Sequence, residues 1–125
     1  MGRIRQMIKV CGRDSWTLFD SGARNTYVIP DVAALLATTD LPCPTHTKLG
    51  GETKTSSHAA VLLGEVAGKP FHTEAMVIDQ IGVDEDGKAL EVLFGALAMQ
   101  QWGIRLIPES EKLDLSHYPD EFIEF

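Results

Sequence analysis

The stretch Trp16-Thr17-Leu18-Phe19-Asp20-Ser21-Gly22-Ala23 decides how the chain is read. It runs from an apolar approach into one carboxylate, one hydroxyl and one glycine, the order expected of a buried strand that ends in a tight turn. A carboxylate at that junction leaves β-structure partly desolvated and beside neighbouring charge, a setting that fits it for acid–base work. Asp20 is therefore the candidate catalytic residue. Asp, Ser and Gly are also common turn formers, so these three residues alone describe an ordinary turn. The surrounding chain has to supply the distinction.

Upstream, residues 4–10 and 16–19 read as two short strands joined by Cys11-Gly12-Arg13-Asp14, a hairpin that delivers Asp20. Downstream, Thr26-Tyr27-Val28-Ile29 is β-branched and aromatic and favours a strand. Residues 30–37 predict a short helix, with Pro30 at a first-turn position where its missing N–H costs nothing and Asp31 complementing the helix dipole. Residues 38–44, with two prolines, read as turn-rich. Gly50-Gly51 lies between Thr-rich arms and predicts a hairpin tip with positive φ and no bulky side chain. Residues 59–67 and 70–79 form the next strand pair around Gly68-Lys69, with Glu65, Lys69 and His72 on its solvated face.

Val83-Asp84-Glu85-Asp86-Gly87 carries acids like those of a calcium loop. With Gly87 as that loop's glycine, the first and last ligand positions fall on Gly82 and Leu93, so a solvated Asp-Gly turn is expected instead. Residues 90–94 run largely apolar into Gly95, and residues 96–102 predict a helix stopped by Gly103, with Trp102 in the core. Residues 104–107 and 112–115 are placed to pair, ahead of a short acidic and aromatic tail at 117–125.

Two stretches taken together resemble the retroviral-type aspartic proteases, the retropepsin-like family. One is Asp20-Ser21-Gly22-Ala23 leading into Thr26-Tyr27-Val28-Ile29, where the family has its catalytic turn followed by a strand. The other is Val92-Leu93-Phe94-Gly95-Ala96-Leu97-Ala98-Met99, similar to the family's apolar-apolar-Gly segment before a short helix. The resemblance spans residues 4–107 in order. It implies an all-β fold with one or two short helices, a closed acid-protease barrel of a single lobe that forms a homodimer, with residues 1–125 as one domain. The implied activity is aspartic endopeptidase, acting on a polypeptide substrate with no cofactor.

By the same resemblance, residues 47–56 are the flap, and Gly50, Gly51 and Arg24 belong to substrate binding. Ser21 bonds across the dimer, Gly22 and Gly95 permit close backbone approach, and Ala23 packs against the site. Peptide hydrolysis by this route requires two carboxylates that share a proton. The chain has one Asp-Ser-Gly turn and no internal repeat, so Asp20 from each of two subunits is expected to meet across a two-fold axis. A C-terminal strand at about 120–125 is expected to pair with the N-terminal strand there. Arg3, Arg5 and Lys9 at one end match Asp120, Glu121 and Glu124 at the other.

Three positions depart from the viral pattern. Arg24 stands where an acid is common, and Ala96 and Leu97 stand where an Arg or Asp is common, so the buried acid–arginine network is absent in that form. Arg24 is either a cleft residue that favours an acidic substrate side chain or a solvated arginine. The expected flap has no apolar tip. The alternative to an enzyme is a non-catalytic retropepsin-fold module for peptide binding or dimerisation, which keeps every structural expectation above. A further alternative is an unrelated small β-rich domain.

Composition narrows the rest. A chain of 125 residues with 44% apolar content is one domain with a core. Eleven basic residues against 18 acidic ones, a net charge of −7, argue against a nucleic-acid surface, which is built from Lys and Arg. No apolar run approaches the ~20 residues of a membrane span. Met1-Gly2-Arg3-Ile4-Arg5 lacks a signal-peptide core, which leaves the cytoplasm as the default compartment. Cys11 and Cys43 are isolated thiols, so neither a disulfide framework nor a metal site is expected, although Cys43 and His46 are close in sequence.

Overall fold

The computed structural model describes residues 2–124, so Met1 and Phe125, the ends of the expected domain, lie outside the described residues. Strands dominate. β1 (Arg3–Val10) and β2 (Arg13–Asp20) form an antiparallel hairpin whose register runs from Val10↔Arg13 to Arg3↔Asp20. The turn between them is only Cys11-Gly12, shorter than the four residues expected. Arg13 and Asp14 extend β2 because each finds a partner there: Arg13 bonds Glu91 at 2.6 Å and Asp14 bonds Lys9 at 2.8 Å.

β3 (Tyr27–Val28) is followed by α1 (Pro30–Ala33), a single helical turn rather than a helix to residue 37. The chain leaves it through bonds from Leu35 to Val32 and from Leu36 to Ala33, because the β-branched Thr38 and Thr39 are claimed by β-pairing. β4 (Thr38–Leu49) thus takes in the segment expected to be turns. Its register with β5 (Glu52–Val66) shifts between Asp40 and Thr45. Pro42 and Pro44 fall in that break, at the edge of the sheet, where the donor a proline lacks is not needed.

β6 (Lys69–Val77), β7 (Val92–Phe94), α2 (Ala96–Gln101), β8 (Arg105–Ile107) and β9 (Lys112–Asp114) complete the chain. The main sheet has the order β1-β2-β7-β3-β6-β5-β4, and β1 also pairs with β5 through Lys9↔Glu65 and Val10↔Gly64. Six strands are thereby joined in a ring of pairings, with β4 outside it; β8 and β9 form a separate hairpin.

Alternation along the strands sorts the apolar residues into two clusters. Phe19, Phe71, Phe94, Val92 and Trp102 belong to the larger one, with Phe19 and Phe94 ring centroids 4.8 Å apart. Leu18, Tyr27, Ile78, Leu90 and Leu93 form the smaller one, against which Trp16, Ala23 and Leu49 pack. Trp102 is core, as expected, and donates its Nε1–H to the His72 carbonyl. In the single chain residues 115–124 take no strand; Tyr118 stacks on Trp102 and Phe122 stands edge-on to it.

Candidate active site

Asp20 ends β2 at 8% exposure, immediately before an exposed Ser21-Gly22. The carboxylate folds back on its own turn: Oδ1 accepts the Gly22 N–H at 2.8 Å, and the Ala23 N–H reaches the Asp20 carbonyl at 3.1 Å. Oδ2 lies 3.3 Å from Arg3 Nε, the residue opposite Asp20 in the hairpin. Arg3 enters the sequence reading only as a dimer charge. Counting the register from a two-residue Cys11-Gly12 turn would have placed it across from Asp20.

Backbone and side-chain contacts on two sides clamp the turn. The Ala23 carbonyl accepts the Ala96 N–H at 2.6 Å, and the Arg24 carbonyl accepts the Leu97 N–H at 3.1 Å, so the start of α2 is docked on the Asp20 turn. Thr26 Oγ1 accepts the Gly95 N–H at 3.1 Å. A Cβ on Gly95 would lie 2.1 Å from the Asn25 carbonyl oxygen, which explains the glycine by approach alone. On the other side Ser21 is tied to Gly2: the Ser21 N–H donates to the Gly2 carbonyl at 3.0 Å, and the Gly2 N–H donates to Ser21 Oγ at 3.2 Å.

Asp20 borders a cleft of about 390 Å³ with an apolar side of Leu18, Leu49, Ile81, Leu90 and Leu93 and a charged side of Arg3, Arg5, Asp84 and Glu85. The tip of the β4–β5 hairpin reaches this cleft through Gly50. Gly50 and Gly51 have φ of 59° and 84°, the mirror-image turn that a two-residue hairpin with right-handed twist requires. Gly51 turns at the tip and does not line the cleft. Leu49, one residue before the tip, packs into the smaller cluster and supplies the apolar contact that the glycine tip itself lacks. Two polar contacts hold the hairpin down: Tyr27 Oη to Thr47 Oγ1 at 3.0 Å, and Lys54 Nζ to Asp79 Oδ1 at 3.2 Å.

Arg24 is exposed, outside the cleft lining, and has no ionic partner among the described residues; the cations at the Asp20 cleft are Arg3 and Arg5. The expected charge match between the termini also changes, since Arg3, Arg5 and Lys9 already pair within the chain with Asp20, Glu85 and Asp14. The 83–87 segment is the expected Asp-Gly turn, closed by the Gly87 N–H on the Asp84 carbonyl. Asp84 Oδ1 also accepts the N–H groups of Asp86 and Lys88, and Oδ2 accepts Trp16 Nε1–H at 2.8 Å. These bonds, that from Lys88 foremost, hold the Asp84 carboxyl below its ordinary value. Among the described residues no cluster of three or more His, Cys, Asp and Glu is arranged to hold a metal ion, and no helix is long and apolar enough to cross a membrane.

No protein-family profile and no curated protein matches the chain by sequence. Solved structures match it by fold. The retroviral protease-like domain of Ddi1 from Leishmania major superposes with a TM-score of 0.66 at 13% identity, over 95% of this chain and 94% of that one. The EIAV protease complexed with the inhibitor HBY-793 superposes with a TM-score of 0.61 at 14% identity, over 85% of this chain and 93% of that one. The chain has the retropepsin-like fold.

Proposed function

We propose that the protein is an aspartic endopeptidase in which Asp20 from each of two identical chains forms the catalytic pair. The observation that carries this reading is a nearly buried carboxylate, 8% exposed, at the border of a cleft that the Gly50 hairpin tip also borders. Two facing carboxylates about 3 Å apart cannot both ionise, so they hold one proton between them. One takes a proton from the attacking water while its mate donates to the substrate carbonyl oxygen. A single chain provides one such group, and a two-fold homodimer provides two.

In that dimer the β4–β5 hairpin is the flap and Leu49 its apolar grip on the polypeptide. Ser21, held by Gly2 within the chain, stands at the exposed turn where a cross-dimer bond would form. The tail at 120–125 pairs with an N-terminal strand across the interface. No cofactor takes part in the chemistry.

Purified protein is to be incubated with a mixed peptide library from about pH 3.5 to 7.5, a span that brackets carboxylate titration, beside Asp20→Asn. Cleavage by the parent and none by the variant is expected, with rate falling at the upper end as the second carboxylate ionises. Equal cleavage by both would overturn the reading. Silence from both, with peptide still bound, would favour the binding module.

A further inference from the structure

We propose that Arg3 selects an acidic side chain of the polypeptide next to the scissile bond, an inference that rests on the endopeptidase reading above. Besides Asp20, four charged side chains line the cleft: Arg3, Arg5, Asp84 and Glu85. Three of them are answered within the chain. Arg5 Nη2 bonds Glu85 Oε1 at 2.6 Å, and both Asp84 oxygens are occupied by Trp16 Nε1–H and two backbone N–H groups.

Arg3 is different. Its side chain is 62% exposed, and its ionic partner among the described residues is Asp20 itself, at 3.3 Å. A working pair of Asp20 carboxylates retains one proton and so carries one negative charge. Two chains bring two Arg3 guanidinium groups to that single charge. One guanidinium is left with no share of the Asp20 charge beside the reacting atoms, and a substrate Asp or Glu offers it a carboxylate in the planar two-bond geometry that suits an arginine. The 3.3 Å separation places the acid at a residue flanking the scissile bond rather than at the far end of the cleft. Arg24 does not compete for this role, because it lies outside the cleft lining.

The test uses decapeptides whose central amide is replaced by a reduced, non-cleavable bond, with each flanking position set in turn to Glu, Gln or Lys. The protein is expected to bind the best Glu peptide about tenfold more tightly than its Gln twin. Arg3→Gln removes that preference, Arg3→Lys keeps part of it, and Arg3→Glu turns it towards Lys, with circular dichroism and sedimentation confirming fold and assembly for each. Equal binding of Glu and Gln peptides by the parent, a preference that survives Arg3→Gln, or no binding of any peptide overturns the proposal. Because the readout is binding, acid preference without cleavage of the matching amide peptides would sink the endopeptidase reading alone. Cleavage without acid preference would sink the Arg3 inference alone.

Discussion

The Thr26 hydroxyl accepts the Gly95 N–H at 3.1 Å, so one buried hydrogen bond joins the Asp20 turn to the segment that enters α2, 69 residues further along the chain. Thr26 is 4% exposed and Gly95 is buried, so removing the hydroxyl takes the partner from a buried N–H. Thr26→Val keeps the shape and strips the acceptor. It is expected to cost about 1–3 kcal/mol, the penalty of a buried donor left unpaired. Urea unfolding should show a lower midpoint at unchanged slope, with Thr26→Ser restoring most of it. A Val variant as stable as the parent would mean that this bond does not hold the two segments together.

Gly95 tests the same junction by volume. Its φ of −91° suits any residue, so the requirement is purely the 2.1 Å approach of a Cβ to the Asn25 carbonyl oxygen. Backbone on both sides has to move to admit a methyl group. Gly95→Ala is expected to destabilise by about 3 kcal/mol or more and to lower the melting temperature by about 10 °C or more. If the variant still folds, peptide cleavage should fall further than stability does, because the movement is transmitted to Asp20 through the Ala96 and Leu97 N–H bonds.

These two residues also mark what the sequence made legible. Thr26 and Gly95 lie in the stretches that raised the resemblance, and local pattern placed both beside strands that pair in space through Tyr27↔Leu93. Local pattern failed where a distant partner decided the outcome. The prolines of 42–44 read as turns, yet β5 supplies partners for Thr38, Thr39 and Thr45 on either side and leaves the prolines in the break. The residues missed at the site, Arg3 and Leu49, are set by hairpin register: each depends on a turn of two residues, and a miscount of the first turn hid Arg3. Arg24 takes the second of its two expected places, that of a solvated arginine. It is adjacent to the motif in sequence, but the chain has already turned away from the cleft to meet α2.

Lys54 ties the β4–β5 hairpin to Asp79, two residues past β6, and the tie is pH-dependent in both directions. Its ammonium is held above the ordinary 10.5, first by the bond to Asp79 and then by that to Glu52. The Asp79 carboxyl is held below the ordinary 3.8, first by Lys54 and then by the Gln80 N–H. A lowered carboxyl contributes above its unfolded value and is lost as pH falls through its folded one. A raised ammonium contributes below its unfolded value and is lost as pH rises through its folded one. The hairpin should be held down most firmly between 3.8 and 10.5. Hydrogen exchange at residues 47–54, corrected for intrinsic rates, should accelerate below that window, and Lys54→Met should exchange fast throughout it. Parent and variant rates that coincide at neutral pH would remove the tie from the account.

Ala67 is a strained residue outside the lining of the Asp20 cleft. It sits at φ 50° in the two-residue Ala67-Gly68 turn between β5 and β6, a left-handed conformation that costs an L-residue about 1–2 kcal/mol. Asn adopts that conformation several-fold more readily than other non-glycine residues, and turns of this type favour Asn-Gly. The side chain is exposed, so no packing is lost on replacement. Ala67→Asn is expected to stabilise by about 0.5–1 kcal/mol, and Ala67→Val to destabilise by a similar amount, since a β-branched residue fits positive φ least well. Cys11 occupies the equivalent position in the β1–β2 turn at the same φ, but its Sγ also contacts the Leu35 carbonyl, so the gain from Cys11→Asn should be smaller. Thermal unfolding of the three variants decides the matter, and an Ala67→Asn variant no more stable than the parent would mean that the turn carries no strain to relieve.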